Sequence, residues 1–314
     1  MTTPVPARSP GAGAPGPGGP PRPRVALVLG SGAVKCAAAL GLRRAFERAG
    51  LGVDLLVGCS GGSLYAASWA LGMPLDECER LTHALWRRGV MTKRNRRAVL
   101  GALFPRWVGF DPAFGLVDDG PLLDALHGPF GGHRVEDAAI PLRVVATEFE
   151  TGAPAVLSRG PVLDAVRASI AVPFVWSPHP VEGRLLWDGC LSDPLPVGVA
   201  VREGADVIVA MGFEAERPRR VSTALKFAFQ VTAVCTNNLY RAATGLHTLA
   251  HHAEVVPVLP AFGRRVGLFD TAAIPHVIEA GERAAESALP HVRRALAEAT
   301  ARPEAARPET ARAA

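Results

Sequence analysis

The apolar residues of this chain fall into short unbroken runs separated by longer stretches with a helical period. Arg24–Leu29 (RVALVL) is one such run, closed by Gly30-Ser31-Gly32, and predicts a buried strand. Ala37–Gly50 has the spacing of an amphipathic helix stopped by its terminal glycine. Asp54–Val57 is a second short strand. A tight turn from Gly58 to Gly62 leads into a small-residue helix, Ser63–Leu71, which Gly72 and Pro74 end. Residues 75–89, 94–103 and 120–127 read as helical, and Pro141–Glu148 as a strong buried strand. Then follow a helix at Leu163–Ser169, a strand at Arg184–Trp187, a helix at Pro196–Glu203 and a central strand at Asp206–Met211. Residues 221–250 are largely helical, Glu254–Val258 is a last strand, and 271–298 a closing helix. Strands that alternate with helices imply a mainly parallel sheet covered on both faces. No internal repeat is present.

Composition narrows this picture at the ends. Residues 1–23 are mostly Pro, Gly and Ala, and residues 300–314 are Ala, Arg, Pro and Glu. Neither segment has the large apolar groups needed to offset ordering entropy, so both are expected to be disordered. The stretch between, 24–299, suits one large domain. With 48% hydrophobic residues in the chain, it can bury a sizeable core. A net charge of +5 permits contact with an anionic surface and requires neither membrane nor nucleic acid; no nucleic-acid partner is expected. The N-terminus has no signal-peptide pattern and no apolar run reaches spanning length. Five cysteines in a chain of 314 residues fit a reducing compartment better than a disulfide framework. The expected location is cytoplasmic, with room for a peripheral contact at the inner membrane face.

Two glycine turns carry the candidate chemistry. Gly58-Cys59-Ser60-Gly61-Gly62 fits G-x-S-x-G between a strand and a helix. That setting exposes a serine hydroxyl on a sharp turn, at a helix N-terminus whose partial positive charge favours oxyanion character. The plain alternative is a glycine-rich connection. The second turn, Gly30 to Lys35, presents backbone amides of Gly32 and Ala33 before another helix, and Lys35 can add charge there. A dinucleotide-binding turn would need a glycine where Lys35 stands, and an acid ending the next strand, whereas Asp54 begins it.

Two bases could activate Ser60. A Ser–His–Asp triad would use Asp188 with His247, His251 or His252, although those histidines lie on or beside a helical pattern. A Ser–Asp dyad would use Asp188 alone. In RLLWDGCLSDPLP (184–196) this aspartate ends an apolar strand at a glycine turn, where desolvation raises proton affinity. An Asx-turn cap is the structural alternative for Asp188.

The segments VALVLGSGAVKCAAALGLRRAFERAGL (25–51), GCSGGSLYAA (58–67), PLRVVATEFETGAPAVL (141–157) and AVRASIAVPFVWSPHPVEGRLLWDGCLSDPLPV (165–197) resemble, in order, the motifs of the patatin-like phospholipase family. The resemblance covers about residues 24–212. It implies a three-layer α/β/α fold with a mainly parallel central sheet, and phospholipid or other lipid esters as substrates. It implies Ser60 as nucleophile, Asp188 as base, Gly189 in the Asp-Gly turn, and Gly58 and Gly62 in the nucleophile elbow. The amides around Gly32 and Ala33, with Lys35, become the oxyanion site, and no cofactor or metal is called for. The chain departs from the family pattern at Ser31 and Ala33, at Cys36 and Cys190 where small glycine-like residues are usual, and at Asp193 before Pro194. A Cβ at Cys36 is costly if that residue needs a positive φ. A non-catalytic lipid-binding or regulatory protein on the same fold therefore stands beside the hydrolase reading.

Cys36, Cys59 and Cys190 each adjoin one site motif, where small buried thiols pack as hydrophobes. Arg87–Arg97 carries six basic side chains and no acid. It suits either a solvated helical face or a contact with anionic lipid head groups, with Leu103, Phe104, Trp107, Val108 and Phe110 following as interface, cap or core.

Overall fold

The computed structural model describes residues 22–301, apart from 87–89, 91–92, 110, 112, 216, 218–219, 251–252 and 268–269. The two expected terminal segments lie almost wholly outside these residues. β1 (Val25–Leu29) leads through a 3-10 turn (Ala33–Ala37) into α1 (Ala38–Ala49). β2 (Leu55–Cys59) turns at Ser60 into α2 (Gly61–Ala70), which is buried along its whole length. The helices α3 (Leu75–Leu85), α4 (Arg96–Leu103), α5 (Pro105–Val108) and α6 (Gly120–Phe130) follow. After them come β3 (Leu142–Glu148), β4 (Pro154–Leu157), α7 (Val162–Ser169), β5 (His179–Val181) and β6 (Arg184–Asp188). The chain closes with α8 (Val197–Arg202), β7 (Val207–Met211), α9 (Ala224–Ala250), β8 (Glu254–Val258) and α10 (Ile274–Ala301).

Among the described residues the strands form one eight-stranded sheet in the order β5-β6-β3-β2-β1-β7-β8, with β4 also on β3. The five consecutive strands β3, β2, β1, β7 and β8 run parallel, while β4 and β6 are antiparallel to β3. Successive side chains of a strand point to opposite faces. Leu27 and Leu29 accordingly pack with α1, α2 and α10, whereas Ala26 and Val28 pack with Val197, Val199 and Ala200 around α8. This is the three-layer α/β/α arrangement that the alternating pattern implies. The pattern missed β4 and β5, edge strands of four and three residues too short to carry a period of their own. It also carried the third helix past Leu85, where Trp86 caps it.

The register around β3 places the site. β4 pairs with Val144–Thr147, overlapping the residues that pair with β2 (Leu142–Val145) and those that pair with β6 (Ala146–Glu148). A strand has two edges, so β2 and β6 share the edge opposite β4. β2 arrives with Cys59 opposite Val145, and β6 arrives from the other direction with Asp188 opposite Ala146. The residue after Cys59 and the last residue of β6 are thereby brought to one point.

α1 and α10 cross with their backbones in contact. A Cβ on Gly281 would stand 2.1 Å from the Ala38 carbonyl oxygen, and one on Gly41 2.1 Å from that of Ile278. Arg48 adds ion pairs to Glu282 and Glu286 along the same crossing. Backbone cannot yield as a side chain does. Gly281→Ala should therefore cost about 3 kcal/mol and lower the melting temperature by on the order of 10 °C in a circular-dichroism melt. An unchanged melt would show that the two helices can separate freely.

Candidate active site

Ser60 sits between β2 and α2 with φ 52° and ψ −131°, a left-handed conformation that a serine adopts only under constraint. The glycines around it are the reason the turn can close. A Cβ on Gly62 would lie 2.1 Å from the Leu29 carbonyl oxygen, and one on Gly58 would lie 2.5 Å from the Ser63 Cα. The Ser60 amide donates to Ser169 Oγ at 2.9 Å, and Ser169 in turn donates to the Val145 carbonyl at 2.6 Å. Ser169 ends α7 and is fully buried. Its role was missed in the sequence, where its only signal is a lone hydroxyl in the apolar run AVRASIAV.

The Ser60 hydroxyl donates to Asp188 Oδ2 at 2.7 Å. The other carboxylate oxygen, Oδ1, accepts the Cys190 amide at 2.8 Å. The Asx-turn cap and the contact with Ser60 thus coexist, one on each oxygen. Asp188 is fully buried, more so than its sequence setting suggested. Burial pushes its carboxyl from the ordinary 3.8 up to about 6, against the opposing pull of the Cys190 amide and the Ser60 hydroxyl. Gly189 is required behind it: a Cβ there would stand 2.3 Å from the Val145 carbonyl oxygen and 2.9 Å from Cys59 Sγ. A carboxylate with raised proton affinity, in contact with a serine hydroxyl at a helix N-terminus, can accept that hydroxyl's proton.

The loop after β1 faces this pair. The Gly30 amide donates to the Met211 carbonyl, Ser31 to Pro194, and Lys35 back to Gly32. Among the described residues this leaves the amides of Gly32, Ala33 and Val34 without a backbone acceptor outside the turn itself. Phe213 presses on Gly32, where a Cβ would meet its ring at 2.4 Å. Cys36 lies within the right-handed 3-10 turn, so its Cβ causes no backbone strain. The positive φ falls on Ala33 instead, at 50°. Cys36 donates its thiol to the Gly30 carbonyl, and burial pushes the thiols of Cys36, Cys59 and Cys190 well up, which keeps them protonated. Lys35 donates to the Glu214 carbonyl at 3.1 Å and stands 5.9 Å over the Phe262 ring, so its charge lies in the cavity wall.

Ser60 and Asp188 open on a cavity of about 440 Å³, walled by Gly32, Ala33, Val172, Phe213, Phe229 and Val266 among others. A smaller apolar recess of about 60 Å³ continues from Ser60 between Leu64, Leu85, Leu122, Ile170 and Trp176. A larger cleft of about 1300 Å³ lies beyond Phe213–Ala215 and reaches neither Ser60 nor Asp188. Among the described residues no group of three or more His, Cys, Asp or Glu is placed to hold a metal ion. Asp54, the acid a dinucleotide site would have needed, accepts the Val25 amide and pairs with Arg22 at the opposite end of β1. His247 stands near the end of α9, and His251 and His252 lie outside the described residues, as do Arg87, Arg88 and Phe110.

A sequence model described as "Patatin-like phospholipase" matches residues 27–201. An uncharacterized NTE family protein of Mycobacterium tuberculosis is 34% identical over 227 residues, covering 71% of this chain and 58% of that protein. The chain thus spans a little over half the length of that relative. The human patatin-like phospholipase domain-containing protein 6 is 27% identical over 201 residues, 63% of this chain and 14% of that one. Among solved structures, VipD from Legionella pneumophila aligns with a TM-score of 0.44 at 15% identity, over 86% of this chain and 67% of its own.

Ser169→Ala removes the acceptor of a buried amide. It should cost about 1–3 kcal/mol, read as a lower urea midpoint with an unchanged slope. Ser169→Thr, which restores a hydroxyl, should recover part of the loss. Equal stability of the alanine variant would show that the Ser60 amide has another acceptor.

Proposed function

Because the chain belongs to the patatin-like phospholipase family, we propose that it is a lipid acyl-hydrolase in which Ser60 is the nucleophile and Asp188 the general base. One observation carries this reading. The Ser60 hydroxyl meets the buried Asp188 carboxylate at 2.7 Å, at the floor of a largely apolar cavity.

In this mechanism Ser60 Oγ attacks the ester carbonyl while its proton passes to Asp188 Oδ2. The developing oxyanion is received by the amides of Gly32 and Ala33, joined by that of Gly61 at the first turn of α2, with Lys35 adding positive potential from the wall. Asp188 then returns the proton to the departing alcohol. Water attacks the acyl-enzyme by the same route in reverse, with Asp188 again taking the proton. The apolar recess beyond Ser60 and the walls at Val172 and Phe229 suit an acyl chain. The carboxylate occupies a hydrogen-bonding position that a triad would give to a histidine, which favours the dyad over His247, His251 or His252.

A phospholipid substrate is supported by the names of the family and of the human relative. A peripheral contact through the basic run at Arg87–Arg97 belongs to the same proposal. It is supported by the exposed Phe104 and Trp107 that follow it, Trp107 being 88% exposed.

A fluorophosphonate probe should label the protein, and Ser60→Ala should abolish both labelling and ester hydrolysis. Failure of the wild type to label and to release fatty acid from any of a panel of lipid esters would overturn the reading. Asp188→Asn preserves shape and should lower kcat by about 10²–10⁴-fold. Only ionised Asp188 can take the proton, so kcat/KM should fall as pH drops through about 6. Asp193, likewise pushed up to about 6 by burial, supplies the control. Asp193→Asn should leave that acid limb in place, and a limb that vanishes would reassign it.

A further inference from the structure

α9 has two apolar faces, and the cavity accounts for one of them. Phe229, Ala233 and Thr236 turn inward and wall the cavity that holds Ser60. Asn237 fixes the helix in this orientation by accepting the Ala215 amide at 2.6 Å and donating to the Ala215 carbonyl at 3.0 Å. At 100° per residue, Phe227, Val231 and Val234 fall on the opposite side, at i, i+4 and i+7. They are 61%, 46% and 39% exposed. A solvated helix puts polar residues on its outer face, and this one does so only further along, at Asn238 and Arg241.

The charge around this stripe selects what covers it. From Arg217 to Ala253 the sequence carries five basic side chains and no acid. Lys226 lies beside the stripe, and Arg217 and Arg265 are exposed where they line the cavity. A second copy of the same face would bring like charges together. An anionic bilayer surface would receive both the apolar stripe and its basic border. No helix among the described residues is long and apolar enough to cross a membrane, so the stripe suits a contact that stays in the interfacial plane.

We infer that the outer face of α9, formed by Phe227, Val231 and Val234 with Lys226 beside them and Arg220 in the exposed segment just before the helix, docks on anionic lipid membranes and presents the Ser60 cavity to the bilayer. This surface is separate from the helices around Trp107. Docking itself does not require that the protein hydrolyse anything, but the advantage of presenting the cavity to lipid rests on the acyl-hydrolase reading.

Co-sedimentation of the full chain with vesicles tests this. Wild type should bind phosphatidylglycerol–phosphatidylcholine vesicles, bind pure phosphatidylcholine far less, and be released by about 0.5 M salt. The F227Q/V231Q/V234Q variant keeps helix propensity and should bind at least tenfold more weakly. Its kcat/KM on a monomeric short-chain ester should be unchanged, while its hydrolysis of vesicle phospholipid falls with binding. Arg220→Gln with Lys226→Gln should weaken binding roughly tenfold or more. Cys235 is the exposed cysteine of the five and flanks the stripe. An environment-sensitive dye there reads docking without altering the stripe, and its emission should shift to the blue on anionic vesicles.

The inference is overturned if wild type ignores anionic vesicles, if the triple variant binds as wild type does, or if the dye does not respond. It is equally overturned if light scattering shows a dimer that the triple variant abolishes while vesicles bind neither form. Vesicle binding through the stripe without hydrolysis of any ester would sink the enzyme reading and leave docking intact. Hydrolysis without such binding would do the reverse.

Discussion

The hydrogen bond from Ser60 to Asp188 is the contact on which the site depends, and the sheet's register makes it possible. It joins the end of β2 to the end of β6, residues 128 positions apart. It exists because those strands meet end to end on one edge of β3, with β4 on the other. Both partners are buried, and a buried carboxylate without donors would be costly. The Cys190 amide and the Ser60 hydroxyl supply those donors. Proton affinity at Asp188 therefore follows from tertiary burial offset by two hydrogen bonds.

The strain in the site has the same origin. Ser60 and Ala33 both hold positive φ without being glycine, each against the preference of an L-residue. Ser60 is held by Ser169 and by close passage of the elbow over the Leu29 carbonyl. Ala33 lies in the loop that Met211 and Pro194 anchor and Phe213 presses. The two strained segments lie against each other, the Ala33 carbonyl 2.9 Å from where a Cβ on Gly61 would stand, and both border the cavity. The surrounding core supplies the rigidity, since α2 is buried throughout and the α1–α10 crossing backs the same face of the sheet.

α9 connects this site to the outside. Its inner face walls the cavity, its outer stripe is apolar, and its clamp at Asn237 ties both to the loop after β7. For the lipid ester proposed as substrate, the surrounding solvent is the bilayer. A helix that borders the cavity and bears apolar groups outward fits that situation better than a fully polar surface would.

The sequence by itself determined the alternation of strands and helices, the elbow at Ser60, and Asp188 at a strand end. Each of these is written in local terms: an unbroken apolar run, a glycine turn, a strand-to-turn boundary. The mainly parallel character of the sheet followed from the same alternation, while the strand order did not. Tertiary structure alone decided the rest. It placed Ser169 beneath the nucleophile and split the two oxygens of Asp188 between Cys190 and Ser60. It put the loop's positive φ on Ala33 and left Cys36 in a right-handed turn. It sent Lys35 to the Glu214 carbonyl, and it left one apolar face of α9 outside. The contacts of Ser60 with Ser169 and Asp188, and of Lys35 with Glu214, depend on segments that meet across more than a hundred residues. Periodicity and motif spacing report only on neighbours along the chain.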